Sequence, residues 1–129
     1  MDPSLTDLMP FAKLAGVELL RADASGVLGA LDWSDERCTA GGVLHGGAIM
    51  TLADSVAAVC AYLNLPSGAR TATIEATTHF LRALSSGRLL AESAPVHLGR
   101  TIIVLETRLT NDQGQLIAHT LQTQAVRSA

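Results

Sequence analysis

Between Gly46 and about residue 64, apolar side chains point to nearly every side of a helix. No proline intervenes, and Pro66 and Gly68 follow as a stop signal. A helix apolar all round is expected to be buried. Beyond it the period shortens to two. Residues 70–81 set Ile74, Ala76, Thr78 and Phe80 against Thr73, Glu75, Thr77 and His79, the alternation of a strand. A turn at Ser85-Ser86-Gly87, a strand over 88–97, a break at Gly99 and a β-branched strand over 101–110 come next. Asn111-Asp112-Gln113-Gly114 reads as a hairpin turn before a last strand over 115–126. Upstream of the helix, residues 4–15 predict a weakly amphipathic helix bent or split at Pro10. Two short strands over 17–20 and 27–31 flank a turn near Ala24-Ser25-Gly26, and residues 32–44 read as a loop containing Gly41-Gly42.

An antiparallel sheet with one apolar face needs a cover, and the single long helix is the only candidate. The expected class is therefore α+β, an antiparallel sheet wrapped around one long central helix, with residues 1–129 as a single domain. One helix covers the strand edges poorly, so a homo-oligomer pairing edges or burying the remaining face is expected.

Composition refines this picture. Hydrophobic residues make up 48% of the 129 residues and charged ones 16%, enough for a well-buried core and too apolar for disorder. Aromatics are only 3%, so Leu, Val, Ile and Ala must fill the interior, and a base-stacking platform is excluded. A net charge of −3 argues against nucleic acid or an anionic membrane as partner. Eight of the nine basic residues are Arg, four of them between Arg70 and Arg100, and the guanidinium fork suits phosphate or carboxylate. The start of the chain is acidic where a signal peptide is basic, and Asp54 breaks the longest apolar run. A soluble, cytoplasmic protein is expected.

Asp54 is the first candidate for chemistry. It is the only acid between Glu36 and Glu75 and is expected to be buried midway along the helix, where an unpaired carboxylate is costly. Either it bonds a neighbouring strand or partner subunit, or it has a use. Its helical neighbours Met50, Thr51, Ala57 and Ala58 are mostly small and leave room for an apolar ligand. The second candidate is Gly41-Gly42-Val43-Leu44-His45-Gly46-Gly47, which runs straight into the helix. Unpaired N–H groups of a first helical turn favour an anion or a developing oxyanion. With His45 before it and Asp54 two turns on, the stretch reads as an oxyanion hole with a carboxylate, the parts an acyl transfer needs. A P-loop, a dinucleotide fingerprint and a GxSxG elbow are all missing. Cys38 and Cys60 form no CxxC, and Cys60 in an apolar helix is expected to be inert. His79, His97 and His119 lack metal-ligand spacing, so no metal is expected.

Gly42-Val43-Leu44-His45-Gly46-Gly47-Ala48 followed by Leu52-Ala53-Asp54 resembles the HGG motif and acidic helix of hotdog-fold acyl-CoA thioesterases, most closely the phenylacetic-acid-degradation (PaaI-like) type. Residues 73–82, Val96-His97-Leu98-Gly99-Arg100 and Gly114-Gln115-Leu116-Ile117-Ala118 are similar to the same group, so the likeness runs over nearly the whole chain. The resemblance implies that Asp54 acts as general base or nucleophile, that the Gly46 N–H receives the thioester carbonyl, and that His45 orients it. It implies that Thr73, from the neighbouring subunit, stands near the attacking water. It also implies that Thr39 and Gly47 contact substrate, and that Arg82 and Arg100 meet the phosphates of coenzyme A. Two positions depart from the pattern: Thr39 stands where many relatives carry Asn or Gln, and Ala83 where Pro is common.

The implied reaction is hydrolysis of an aryl-acyl- or medium-chain acyl-CoA to free acid and coenzyme A, with no cofactor beyond the coenzyme A of the substrate. The implied assembly is a homodimer or homotetramer with sites at subunit interfaces. A hotdog enoyl-CoA hydratase or dehydratase, and a non-catalytic acyl-CoA binding module, are the competing expectations.

Overall fold

The computed structural model describes residues 4–128. Helices α1 (Ser4–Asp7) and α2 (Pro10–Ala15) precede strands β1 (Glu18–Asp23) and β2 (Gly26–Asp32). Helix α3 (Gly46–Tyr62) then leads into β3 (Arg70–Phe80), β4 (Arg88–Leu98), β5 (Ile102–Thr110) and β6 (Leu116–Arg127). Pro10 does split the first helical segment: it opens α2, where its missing N–H costs nothing. The six strands form one antiparallel sheet in the order β1-β2-β4-β5-β6-β3, and α3 packs against it as the sequence pattern expects.

The core lies between that helix and the inner face of the sheet. Ile49, Leu52, Ala53, Val56, Ala57 and Cys60 meet Leu31, Leu89, Leu105 and Leu109, all buried. Alanines on the helix face let backbone approach backbone. Helix and sheet approach closely at Gly29 of β2, where an added Cβ would stand 2.5 Å from Val56 Cγ1. The aromatics contribute little to this interior: Trp33 is half-buried and packs against its margin, and Phe11, Tyr62 and Phe80 are exposed. Among the described residues no helix is long and apolar enough to cross a membrane.

Two expectations need correction. The helix is not buried all round, because the sheet covers only part of its circumference. Gly47, Met50, Asp54 and Tyr62 form an exposed stripe on the side left open. The strict alternation expected of β3 also fails. The strand lies at the sheet edge, most of its residues are exposed on both faces, and its pairing with β6 shifts register between Thr73 and Glu75. Ile74 is the extra residue of a β-bulge. Thr73, opposite Gln124, therefore shares the helix-facing side with Ala76, Thr78 and Phe80 rather than opposing them.

Candidate active site

The loop before α3 is held from several directions. Leu44 N–H donates to Leu84 O at 2.8 Å, His45 N–H to Arg37 O at 2.8 Å, and Trp33 Nε1 to Gly42 O at 3.0 Å. Gly41 and Gly42 adopt φ of 84° and 75°, the left-handed region that makes glycine the natural residue at both positions. The result is a fixed entry into the helix. His45 is the N-cap, and its Nδ1 accepts the Gly47 N–H at 2.8 Å. The Gly47 N–H is thus engaged within the chain, whereas the Gly46 N–H has no acceptor among the described residues. Gly46 stands against the Phe80 ring, where an added Cβ would come within 3.3 Å of it.

Asp54 is exposed, not buried as the helix pattern suggested, because it sits on the open stripe of α3. It is tied to a neighbouring strand: Gln122 Nε2 donates to Asp54 Oδ1 at 2.7 Å, and Oδ2 has no protein partner among the described residues. Met50, Thr51, Ala76, Thr78 and Thr120 complete a small open groove of about 230 Å³ around this carboxylate. Thr73 is exposed on β3, and its Oγ1 accepts from Gln124 Nε2 at 2.8 Å.

Within one chain these parts do not converge. Thr39, Gly46, Phe80 and Arg82 line a groove of about 390 Å³ that shares no residue with the one around Asp54. His45 and Gly47 line a third groove, of about 520 Å³, against Phe11 and Leu14 of α2. Eight residues of helix separate Gly46 from Asp54, a rise of about 12 Å, whereas reacting atoms stand about 3 Å apart.

The arginines do not form the local cluster their spacing suggested. Arg82 follows β3, and its N–H donates to Ile117 O at 3.1 Å near the start of β6. Arg100 lies in the β4–β5 turn, where the adjacent Thr101 O accepts from Val126 at the end of β6. Ile117 and Val126 lie nine residues apart toward opposite ends of β6, a span of about 30 Å. Arg88 is occupied elsewhere, bonding Asp32 at 2.7 Å and Glu18 at 3.1 Å and holding the Asp32 carboxyl below its usual range. Arg82 and Arg100 form no ion pair among the described residues and are exposed.

Other candidates for chemistry fall away. Burial pushes the Cys60 thiol up, which keeps it neutral. His119 Nε2 lies 3.2 Å from Glu106 Oε2 on the outer face of the sheet. Among the described residues no group of three or more His, Cys, Asp or Glu is placed to hold a metal. The sequence pattern did not single out Gln122 and Gln124. Their one signal is that period two puts them with Ala118 on the inward face of β6, where polar side chains call for an explanation.

The thioesterase superfamily model matches residues 41–118, which span the entry loop, α3 and the strands from β3 through the start of β6. The chain belongs to the thioesterase superfamily. Thioesterase PA1618 of Pseudomonas aeruginosa is 39% identical over 75 residues, 57% of this chain and 52% of that protein. Its structure superposes with a TM-score of 0.92 at 29% identity, covering 98% of this chain and 93% of that one. The 1,4-dihydroxy-2-naphthoyl-CoA hydrolase of Escherichia coli is 29% identical over 85 residues, 66% of this chain and 62% of that enzyme. A thioesterase-named protein of Streptococcus pneumoniae, solved with coenzyme A, shares the fold at a TM-score of 0.85 and 22% identity, covering 97% and 99% of the two chains. In sequence, the chain spans 52% and 54% of the lengths of the first two curated relatives it matches. Members of this superfamily with the present architecture carry the hotdog fold, and the helix wrapped by a six-stranded sheet is that fold.

Proposed function

We propose that this superfamily member hydrolyses acyl-CoA thioesters, with aryl-acyl or medium-chain acyl groups as substrates and no cofactor beyond the substrate's own coenzyme A. The observation that carries the reading is the pairing of two unspent groups on α3. One is the Gly46 N–H at the helix start; the other is an Asp54 carboxylate with one oxygen anchored and one open to a groove. The N–H suits the oxyanion that forms when a thioester carbonyl is attacked. The carboxylate suits either removal of a proton from water or direct attack on the carbonyl carbon. In both routes the C–S bond breaks and the coenzyme A sulfur leaves as thiolate and is protonated. On the direct route the Asp54–acyl anhydride so formed is then hydrolysed by water, which releases the acid and regenerates the carboxylate. Met50, Ala76 and Thr78 make the Asp54 groove largely apolar, in keeping with an aryl or alkyl acyl group.

The rise of about 12 Å between the two groups argues that the site is shared. β3 is a long edge strand with an unpaired side and exposed faces, the kind of edge that proteins cover. A second copy pairing there about a two-fold axis runs antiparallel. It carries its own Asp54 and Thr73 toward the first copy's Gly46, and its Arg100 end toward the first copy's Arg82. On this reading the working unit is a cytoplasmic homodimer or a tetramer built from it. Each site takes His45, Gly46, Thr39 and Arg82 from one copy and Asp54, Thr73 and Arg100 from the other.

The test is release of coenzyme A thiol from a panel of acyl-CoA esters by the wild type and Asp54→Ala. General-base assistance is worth about 10²- to 10⁴-fold. A folded Asp54→Ala oligomer is therefore expected to lose at least about a hundredfold, and near-wild-type hydrolysis by it refutes the proposal. Crotonyl-CoA in the same panel is expected to show thiol release and no hydration of its double bond.

A further inference from the structure

The interior beneath Asp54 contains a polar feature that a core of this kind does not need. Gln122 and Gln124 of β6 are 0% and 1% exposed, on the inward face where the β5 neighbour of Gln122 is the fully buried Leu105. A buried carboxamide must be bonded at both ends to be tolerated, and a leucine there would carry no such demand.

The bonds form a directed series. An ionised carboxylate only accepts, so the Gln122 atom 2.7 Å from Asp54 Oδ1 is the amide nitrogen. Gln122 Oε1 then faces outward along the sheet and accepts from Gln124 Nε2 at 2.7 Å. The same nitrogen donates to Thr73 Oγ1 at 2.8 Å, and Gln124 Oε1 accepts from Thr71 Oγ1 at 2.9 Å. Fixing one end fixes the orientation of every amide between. Each member reinforces the next, because a donor whose own oxygen is engaged is the stronger donor.

We infer that Gln122 and Gln124 are positioning residues: a buried brace that fixes the Asp54 carboxylate and the Thr73 hydroxyl relative to each other. The inference rests on the thioesterase reading above. With Oδ1 held, Oδ2 is the oxygen presented to the groove. With Thr73 Oγ1 already accepting, its proton is free to point toward a water or carbonyl. Gln122 borders the floor of the Asp54 groove while 0% exposed, and Gln124 lies outside it; Gln122 acts through Asp54, and Gln124 through Gln122 and Thr73.

The variant Gln122→Met keeps length and removes the donor. A hydrogen bond to a charged group corresponds to about 10- to 100-fold in rate. Gln122→Met is thus expected to lower kcat by that factor with KM for acyl-CoA unchanged, and to cause no further loss when added to Asp54→Ala. Full kcat in Gln122→Met overturns the brace, as does an equal fractional loss in the Asp54→Ala background. Gln122→Glu serves where the methionine variant does not fold: it keeps the acceptor toward Gln124 and puts an acid against Asp54. Its kcat is expected to be depressed at neutral pH and to recover on acidification, when the two acids share a proton. A pH profile matching the wild type overturns the brace. An Asp54→Ala enzyme at full activity refutes the thioesterase reading instead, so the two failures are distinguishable.

Discussion

His45 Nδ1 accepts the Gly47 N–H at 2.8 Å, so one imidazole both caps α3 and stands fixed at the rim of a groove. The two roles separate by substitution. His45→Ala is expected to lose about 0.5–2 kcal/mol of stability with the cap, and turnover with it. His45→Asn restores a good capping residue, so urea unfolding should return toward wild type while thiol release stays low. An Asn variant with wild-type turnover would reduce His45 to a structural cap.

A site divided between copies makes a prediction that a site within one chain does not. Mixed and reassembled His45→Ala and Asp54→Ala proteins, each nearly inactive, are expected to recover about a quarter of wild-type activity. Half of the randomly formed dimers are mixed, and each of those has one intact site of two. Absence of any recovery in a demonstrably mixed dimer would assign His45 and Asp54 to the same chain's site.

Gly29 and Val56 mark a close contact between helix and sheet. Gly29→Ala brings a methyl within 2.5 Å of Val56 Cγ1, and overpacking of this kind costs about 1–3 kcal/mol. Combining it with Val56→Ala should cost less than the sum of the two single changes, as read from urea midpoints. Strict additivity would mean that the helix shifts as a body instead of meeting the new methyl.

Much of the fold is legible in periodicity alone. The unbroken apolar run after Gly46, the stop at Pro66 and the turn residues between strands are local signals, and the helix and strands form where they point. Pro10 likewise splits the first helix for a reason contained in its own ring. The motif at His45-Gly46-Gly47 is legible too, because a helix entry is a local device. The exposure of Asp54 is not. Hydrophobicity around a helix says which residues avoid water, but the open side depends on how far the sheet reaches, a property of strands many residues away. The arginines mislead for a related reason: spacing along a strand becomes separation in space, and Arg82 and Arg100 fall at opposite ends. The glutamines under Asp54 stay unremarked in a strand that already contains Thr120 and Thr123, since no local signal tells which of its polar side chains are bonded beneath the helix.

The bulge at Ile74 amounts to a parity change written into the chain. Every β3 residue before it has exchanged inside for outside relative to a strict alternation counted back from Phe80. Removing Ile74 would take the bulge out and leave Thr71 and Thr73 on the inner face, because Thr73, Glu75 and Ala76 already oppose Gln124, Thr123 and Gln122 in unbroken succession. The Gln124 amide would keep both of its β3 partners. By bulging out instead of taking a place in the pleat, Ile74 leaves a hydroxyl and a carboxylate from distant parts of the sequence on one side of the sheet.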